Sequence, residues 1–123
     1  MVAPLRNRLR QRARVLVVDD DDATREVIAE LLRDEGYEVA CAENGAAALR
    51  EIRMEHSPDL VLLDLMMPVM SGWEVLEQLQ ESERLSQIPV VVVSAMNAPG
   101  AREHLAKPID VALLLSTVGR LTS

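Results

Sequence analysis

Four aliphatic segments, residues 15–18, 37–41, 60–63 and 90–93, are separated by stretches long enough for a helix rather than by short turns. Val- and Leu-rich runs of this length, without regular polar alternation, suit strands covered on both faces, as in a parallel sheet whose crossovers are helices. The chain therefore reads as α/β. The first helix is expected over about residues 23–35, capped by Asp21 or Asp22, with Val27, Ile28, Leu31 and Leu32 as its apolar stripe and Gly36 as its stop. A second, over about 45–54, follows Asn44 and turns Ala48, Leu49 and Ile52 inward, with Pro58 barring its continuation. A third, over about 73–82, buries Val75, Leu76 and Leu79, and a last one after Asp110 packs Leu114, Leu115, Val118 and Leu121.

One crossover is short. Only twelve residues separate Ser94 from Lys107, and they must also supply a fifth strand near residues 104–106. A parallel crossover with its helix normally takes about ten to twelve residues by itself. The helix between the fourth and fifth strands is therefore expected to be one turn or missing.

At 123 residues the chain has room for one compact domain, read as 14–122 behind a basic extension over 1–13. The net charge of −7 is uneven: Arg6, Arg8, Arg10, Arg12 and Arg14 precede the first acid, leaving 8 basic against 20 acidic residues, −12, from Val15 onward. Such an acidic body argues against nucleic acid as partner. The alternating arginines form no helical face, so the extension is read as solvated. No apolar run approaches the ~20 residues of a membrane span, and no apolar stretch follows the first arginines as in a secretory signal, so a cytoplasmic protein without membrane insertion is expected. Cys41, the single cysteine, reads as a small buried strand residue, and His56 as a surface residue.

Ligands of an open parallel sheet bind outside the carboxyl ends of the strands. There the first strand ends in Asp19 and Asp20, the third in Asp64, the fourth in Ser94, and the fifth runs into Lys107-Pro108. Three carboxylates crowded together call for a cation, and an all-oxygen set suits hard Mg2+, with Mn2+ as the alternative. With the metal present, an Asp64 oxygen is free to attack phosphorus, while Lys107 and the Ser94 hydroxyl offset charge on the phosphoryl oxygens. That chemistry is phosphoryl transfer to aspartate. Asp21 and Asp22 read instead as cap and first-turn acids.

The segments Val15-Leu-Val-Val-Asp-Asp-Asp, Asp59-Leu-Val-Leu-Leu-Asp-Leu-Met-Met-Pro-Val-Met-Ser-Gly, Val90-Val-Val-Val-Ser-Ala and Lys107-Pro-Ile-Asp resemble those of response-regulator receiver domains, in the same order and at the same strand ends. The likeness spans nearly all of residues 14–121. It implies a doubly wound, flavodoxin-like sheet of five parallel strands in the order 2-1-3-4-5. It also implies Asp64 as acceptor of a phosphoryl group from a sensor kinase phosphohistidine, and Asp20 and Asp64 as direct Mg2+ ligands. Asp19 would hold the ion through water, and the Met66 carbonyl would be a further ligand. Lys107 and Ser94 would contact the phosphoryl group, Pro68 and Gly72 would shape the loop after Asp64, and Lys107-Pro108 would be cis.

Two departures from the family pattern stand out: the short segment before Lys107, and His104 where the family usually carries a switching aromatic. His104 is read as a partly exposed edge-strand residue. Met66 and Met96 flank the site at positions that tune phosphoryl lifetime in the family, Met67 and Met70 are assigned to packing or loop structure, and Trp73 to packing at the start of the third helix. The expected function is a stand-alone response regulator whose only catalysis is its own phosphorylation and dephosphorylation. Its partners would be a sensor histidine kinase or histidine phosphotransfer protein and an output protein. The alternative is a pseudo-receiver scaffold that signals without phosphorylation. A phosphohydrolase or nucleotide enzyme is disfavoured, because Asp64 begins no Asp-x-Asp and no Gly-rich phosphate loop is present.

Overall fold

The computed structural model describes residues 13–54, 56–95 and 103–123. The elements run β1 (Arg14–Val18), α1 (Asp22–Asp34), β2 (Glu38–Ala42), α2 (Gly45–Ile52), β3 (Leu60–Leu63), α3 (Gly72–Gln80), a 3-10 turn (Leu85–Gln87), β4 (Val90–Ser94), β5 (Glu103–Ala106) and α4 (Val111–Thr122). All strands are parallel, in the order β2-β1-β3-β4-β5. This is the doubly wound sheet that the alternation and the resemblance imply.

Side chains alternate along each strand, so every run of aliphatic residues feeds two cores at once. Val15, Val17, Leu60, Leu62, Val91 and Val93 pack under α1 and α4 with Ile28, Leu32, Leu114 and Val118. On the other face, Leu16, Val18, Val61 and Leu63 pack under α2 and α3 with Leu49, Ile52, Val75 and Leu79. Both clusters are apolar and buried, which is why the strands tolerate no polar alternation.

The helix starts follow the local chemistry. Asp21, Asn44, Ser71 and Asp110 each accept a bond from the backbone N–H three residues on, at 2.9, 2.8, 3.3 and 3.0 Å. Gly36, at φ 94°, ends α1 in the left-handed region that a side chain would oppose.

Two side-chain expectations need correction. Val27 is 57% exposed, because the inward face of α1 is the stripe Arg25, Ile28, Ala29 and Leu32, with i, i+3, i+4, i+7 spacing, and Val27 projects from the far side. Trp73 is 39% exposed, because Val75 and Leu79 set the buried face of α3 and Trp73 lies nearly opposite it. Cys41 sits in edge strand β2 and is half-buried. His56 is exposed, and Met67 and Met70 pack against the second core. Ala13 is buried, and its carbonyl accepts from Glu38 N–H at 3.0 Å. Among the described residues no helix is long and apolar enough to cross a membrane. The expected reduction of the β4–β5 crossover helix, and Met96 with it, fall outside the described residues.

Candidate phosphoacceptor site

Strand register brings the carboxyl ends together: Val18 pairs with Leu63, and the Asp64 N–H continues the ladder to Val18 O at 3.0 Å. Asp19 and Asp64 therefore emerge side by side from the two central strands. Asp19 is 2% exposed and Asp64 5%, whereas Asp20 is exposed. One carboxylate oxygen from each lies within 4.8 Å of the others. Oxygens that share a Mg2+ lie at most about 4.2 Å apart across it. The donor set and its spread thus fit a small hard cation, with little adjustment or with one carboxylate acting through water.

Asp19 is held at every polar atom. Its N–H donates to Ala42 O at 3.2 Å, its Oδ1 accepts from Asp21 N–H at 2.9 Å, its Oδ2 accepts from Lys107 Nζ at 2.9 Å, and its carbonyl accepts from the Arg25 guanidinium at 2.8 Å. Lys107 Nζ also stands 3.7 Å from Asp64 Oδ2, so one ammonium bridges the two buried carboxylates. Asp64 Oδ1 accepts from Met66 N–H at 3.2 Å, and its Oδ2 faces Lys107 and the crevice.

Electrostatics follow from this crowding. Burial raises the Asp64 pKa, and the charges of Asp19 and Asp20 add to the rise against the opposing Met66 N–H and Lys107. Burial pulls Lys107 down, but the hydrogen bond and charge of Asp19, with Asp64 and Asp20, win, and its net pKa is raised. Outside the pocket, Asp21 is lowered by the bonds it accepts from the Thr24 hydroxyl and N–H.

Ser94 is 1% exposed at the end of β4. Its carbonyl accepts from Lys107 N–H at 3.2 Å and lies 3.3 Å from His104 Nε2. His104 is itself exposed on edge strand β5. The Lys107-Pro108 bond is cis.

The loop after Asp64 is tightly built. Met70 N–H bonds Pro68 O at 2.8 Å around Val69, a three-residue turn with φ 69° at an exposed β-branched residue. Gly72 N–H bonds Leu65 O, and a Cβ at Gly72 would lie 2.3 Å from Asp64 O and 2.7 Å from Leu65 Cα. Only glycine lets α3 start against the Asp64 backbone. Met66 presents its side chain to solvent, 60% exposed, beside the pocket.

The structure thus gathers Asp19, Asp20, Asp64, Ser94 and Lys107 at one crevice. Arg25 is the neighbour that sequence reasoning passed over. Its spacing to Ile28 and Leu32 was the available signal, since it places the guanidinium at the head of the inward stripe.

A parallel 2-1-3-4-5 sheet with an acidic triad and a lysine at the ends of its central strands defines a class of phosphorylation-type signalling domain. The response regulator receiver domain model matches residues 15–119, and the chain belongs to that family. Protein PilH of Pseudomonas aeruginosa is 35% identical over 115 residues, covering 86% of this chain and 94% of PilH. The chemotaxis protein CheY4 of Vibrio cholerae superposes with TM-score 0.81 at 30% identity, covering 89% of this chain and 98% of that one. The receiver domain of sensor histidine kinase PA1611 from P. aeruginosa, solved with a magnesium ion coordinated in its active site cleft, superposes with TM-score 0.80 at 26% identity, covering 90% and 98%.

Proposed function

We propose that this receiver domain accepts a phosphoryl group on Asp64, in a Mg2+-dependent reaction, from a sensor histidine kinase or a histidine phosphotransfer protein in the cytoplasm. It acts as a stand-alone regulator, a reading supported by the nearly full-length match to PilH. The observation that carries the proposal is the bridging of Asp19 and Asp64 by Lys107 beside the exposed Asp20.

Asp20 and Asp64 would hold the ion directly, Asp19 would do so through water, and the Met66 main-chain carbonyl would complete the protein's share of the ligands. When bound, Mg2+ (or Mn2+) neutralises charge on the carboxylates and on the phosphoryl oxygens. The Asp64 Oδ2 that faces the crevice attacks phosphorus, the P–N bond to the donor histidine breaks, and the imidazole nitrogen leaves with the bonding pair and takes up a proton. Lys107 moves its ammonium from Asp19 toward the new phosphoryl group, and Ser94 donates its hydroxyl to a second phosphoryl oxygen. Hydrolysis of the acyl phosphate restores Asp64, and the output passes to a protein partner by docking.

The test is labelling of the wild type and Asp64→Asn with acetyl phosphate, with Mg2+ and with chelator. Mg2+-dependent labelling of the wild type alone is expected. Equal labelling of both would overturn the assignment of Asp64, and no labelling across several donors would favour the pseudo-receiver scaffold.

A further inference from the structure

Arg25 stands against local preference. It is the fourth residue of α1, where a cation opposes the positive end of the helix dipole. Its side chain is only 15% exposed, and it heads the stripe of Ile28, Ala29 and Leu32 that turns toward the sheet. From there the guanidinium makes two bonds, to Asp19 O at 2.8 Å and to Asp22 Oδ1 at 2.5 Å.

The first bond is the informative one. Asp19 lies just past the last residue of β1, and the donor to its carbonyl comes from a side chain rather than from a strand or helix partner. That carbonyl belongs to the peptide linking Asp19 to Asp20. The bond from Asp19 N–H to Ala42 O holds the peptide before it, while Asp19 O, tied to Arg25, holds the linking peptide through its carbonyl. The direction in which Asp20 leaves the backbone is set with it. Asp20 is the exposed member of the triad, without the enclosure that surrounds Asp19 and Asp64. Its aim depends on its backbone.

We infer that Arg25 is a positioning residue for the cation site: it pins the Asp19–Asp20 peptide so that the Asp20 carboxylate stays aimed at Asp19 and Asp64, and Asp22 fixes the guanidinium in that pose. The inference rests on the proposed metal site and concerns how that site is held rather than whether it exists. Outer groups that orient metal ligands typically matter by 10–100-fold in affinity. Two effects oppose each other when Arg25 is removed. Loss of a nearby cation favours Mg2+ electrostatically, while loss of the peptide tether disfavours it. A half-buried, two-point guanidinium makes the tether the larger effect, and added salt separates the two, because it screens the field but leaves the hydrogen bonds.

The experiment is a Mg2+ titration of the full chain, followed by calorimetry, with the metal-free melting midpoint measured alongside. The proteins are the wild type, Arg25→Ala, Arg25→Lys and Asp22→Asn. Arg25→Ala is expected to weaken Mg2+ binding about tenfold or more, at low and at high salt alike. Arg25→Lys, which can still reach the carbonyl, should recover part of that loss, and Asp22→Asn should lose less than Arg25→Ala. If Arg25→Ala does not fold, the Lys and Asn variants give the same ranking. Unchanged or tighter Mg2+ binding in the Arg25 variants, or a weakening that vanishes at high salt, would overturn the inference. Absence of Mg2+ binding by the wild type would instead overturn the metal site on which it rests.

Discussion

Asp64 carries a burden in the metal-free protein that its reactivity requires. Burial raises its pKa above the ordinary value near 3.8, so the native state holds the carboxyl proton more tightly than the unfolded chain does. The corresponding stability is complete below that ordinary value and is lost as pH rises through the raised native value. At neutral pH the ionised Asp64 therefore works against folding. Asp64→Asn is expected to melt above the wild type at pH 7 without metal, an advantage that shrinks as pH falls below the ordinary carboxylate range. Thermal scans against pH measure it, and a lower neutral-pH midpoint for the variant would contradict this reading. Lys107 has the same sign with a different window: its raised pKa contributes stability that persists through neutrality and goes only in strong alkali.

Gly72 offers a second test at the same scale. Alanine there presses on the Asp64 and Leu65 main chain and should cost roughly 1–3 kcal/mol, with slower phosphoryl acceptance in the same protein. Gly119→Ala is the control, since its Cβ would meet only Tyr37 Oη at 3.9 Å, and it should be neutral or stabilising by up to about 1 kcal/mol. Denaturant melts of both variants separate the two cases. The carboxylates and Lys107 were legible in the sequence because each follows an aliphatic run and needs only the parallel topology to meet the others. That Lys107 takes Asp19 at 2.9 Å over Asp64 at 3.7 Å was not, because it depends on rotamers that spacing does not determine.

At the scale of elements, strand and helix positions follow runs and caps, and their boundaries differ from expectation by a residue or two. Faces were harder. Val27 and Ile28 are both branched aliphatic residues in one helix, yet Ile28 is 3% exposed and Val27 57%. The Val-Ile and Leu-Leu pairs allow more than one stripe, and only packing on β1 and β2 selects the one that begins at Arg25. Ile28→Ala should cost roughly 2–5 kcal/mol, whereas Val27→Ala should stay within about 0.5 kcal/mol. Chemical denaturation distinguishes them, and equal losses would show that the face is misassigned. Removal of the α2 cap by Asn44→Ala, which breaks the 2.8 Å bond to Ala47 N–H, should cost about 1 kcal/mol in the same assay.

For the whole molecule, two apolar cores on either face of the sheet leave the polar chemistry to the strand ends. Fold and site are in this sense one decision: the parallel order β2-β1-β3-β4-β5 puts Asp19 and Asp64 on adjacent central strands and Lys107 just past β5. The departures from the family pattern lie where that logic stops, in the short β4–β5 segment and at His104, whose ring reaches the Ser94 carbonyl rather than a buried aromatic niche. Asp64 as phosphoacceptor is tested by phosphorylating the protein with Mg2+, trapping the acyl phosphate by borohydride reduction and mapping the modified residue by peptide mass spectrometry. Reduction at Asp64 alone, abolished by chelator, is the expected result. Modification at Asp19 or Asp20, or modification that persists without divalent cation, would contradict it.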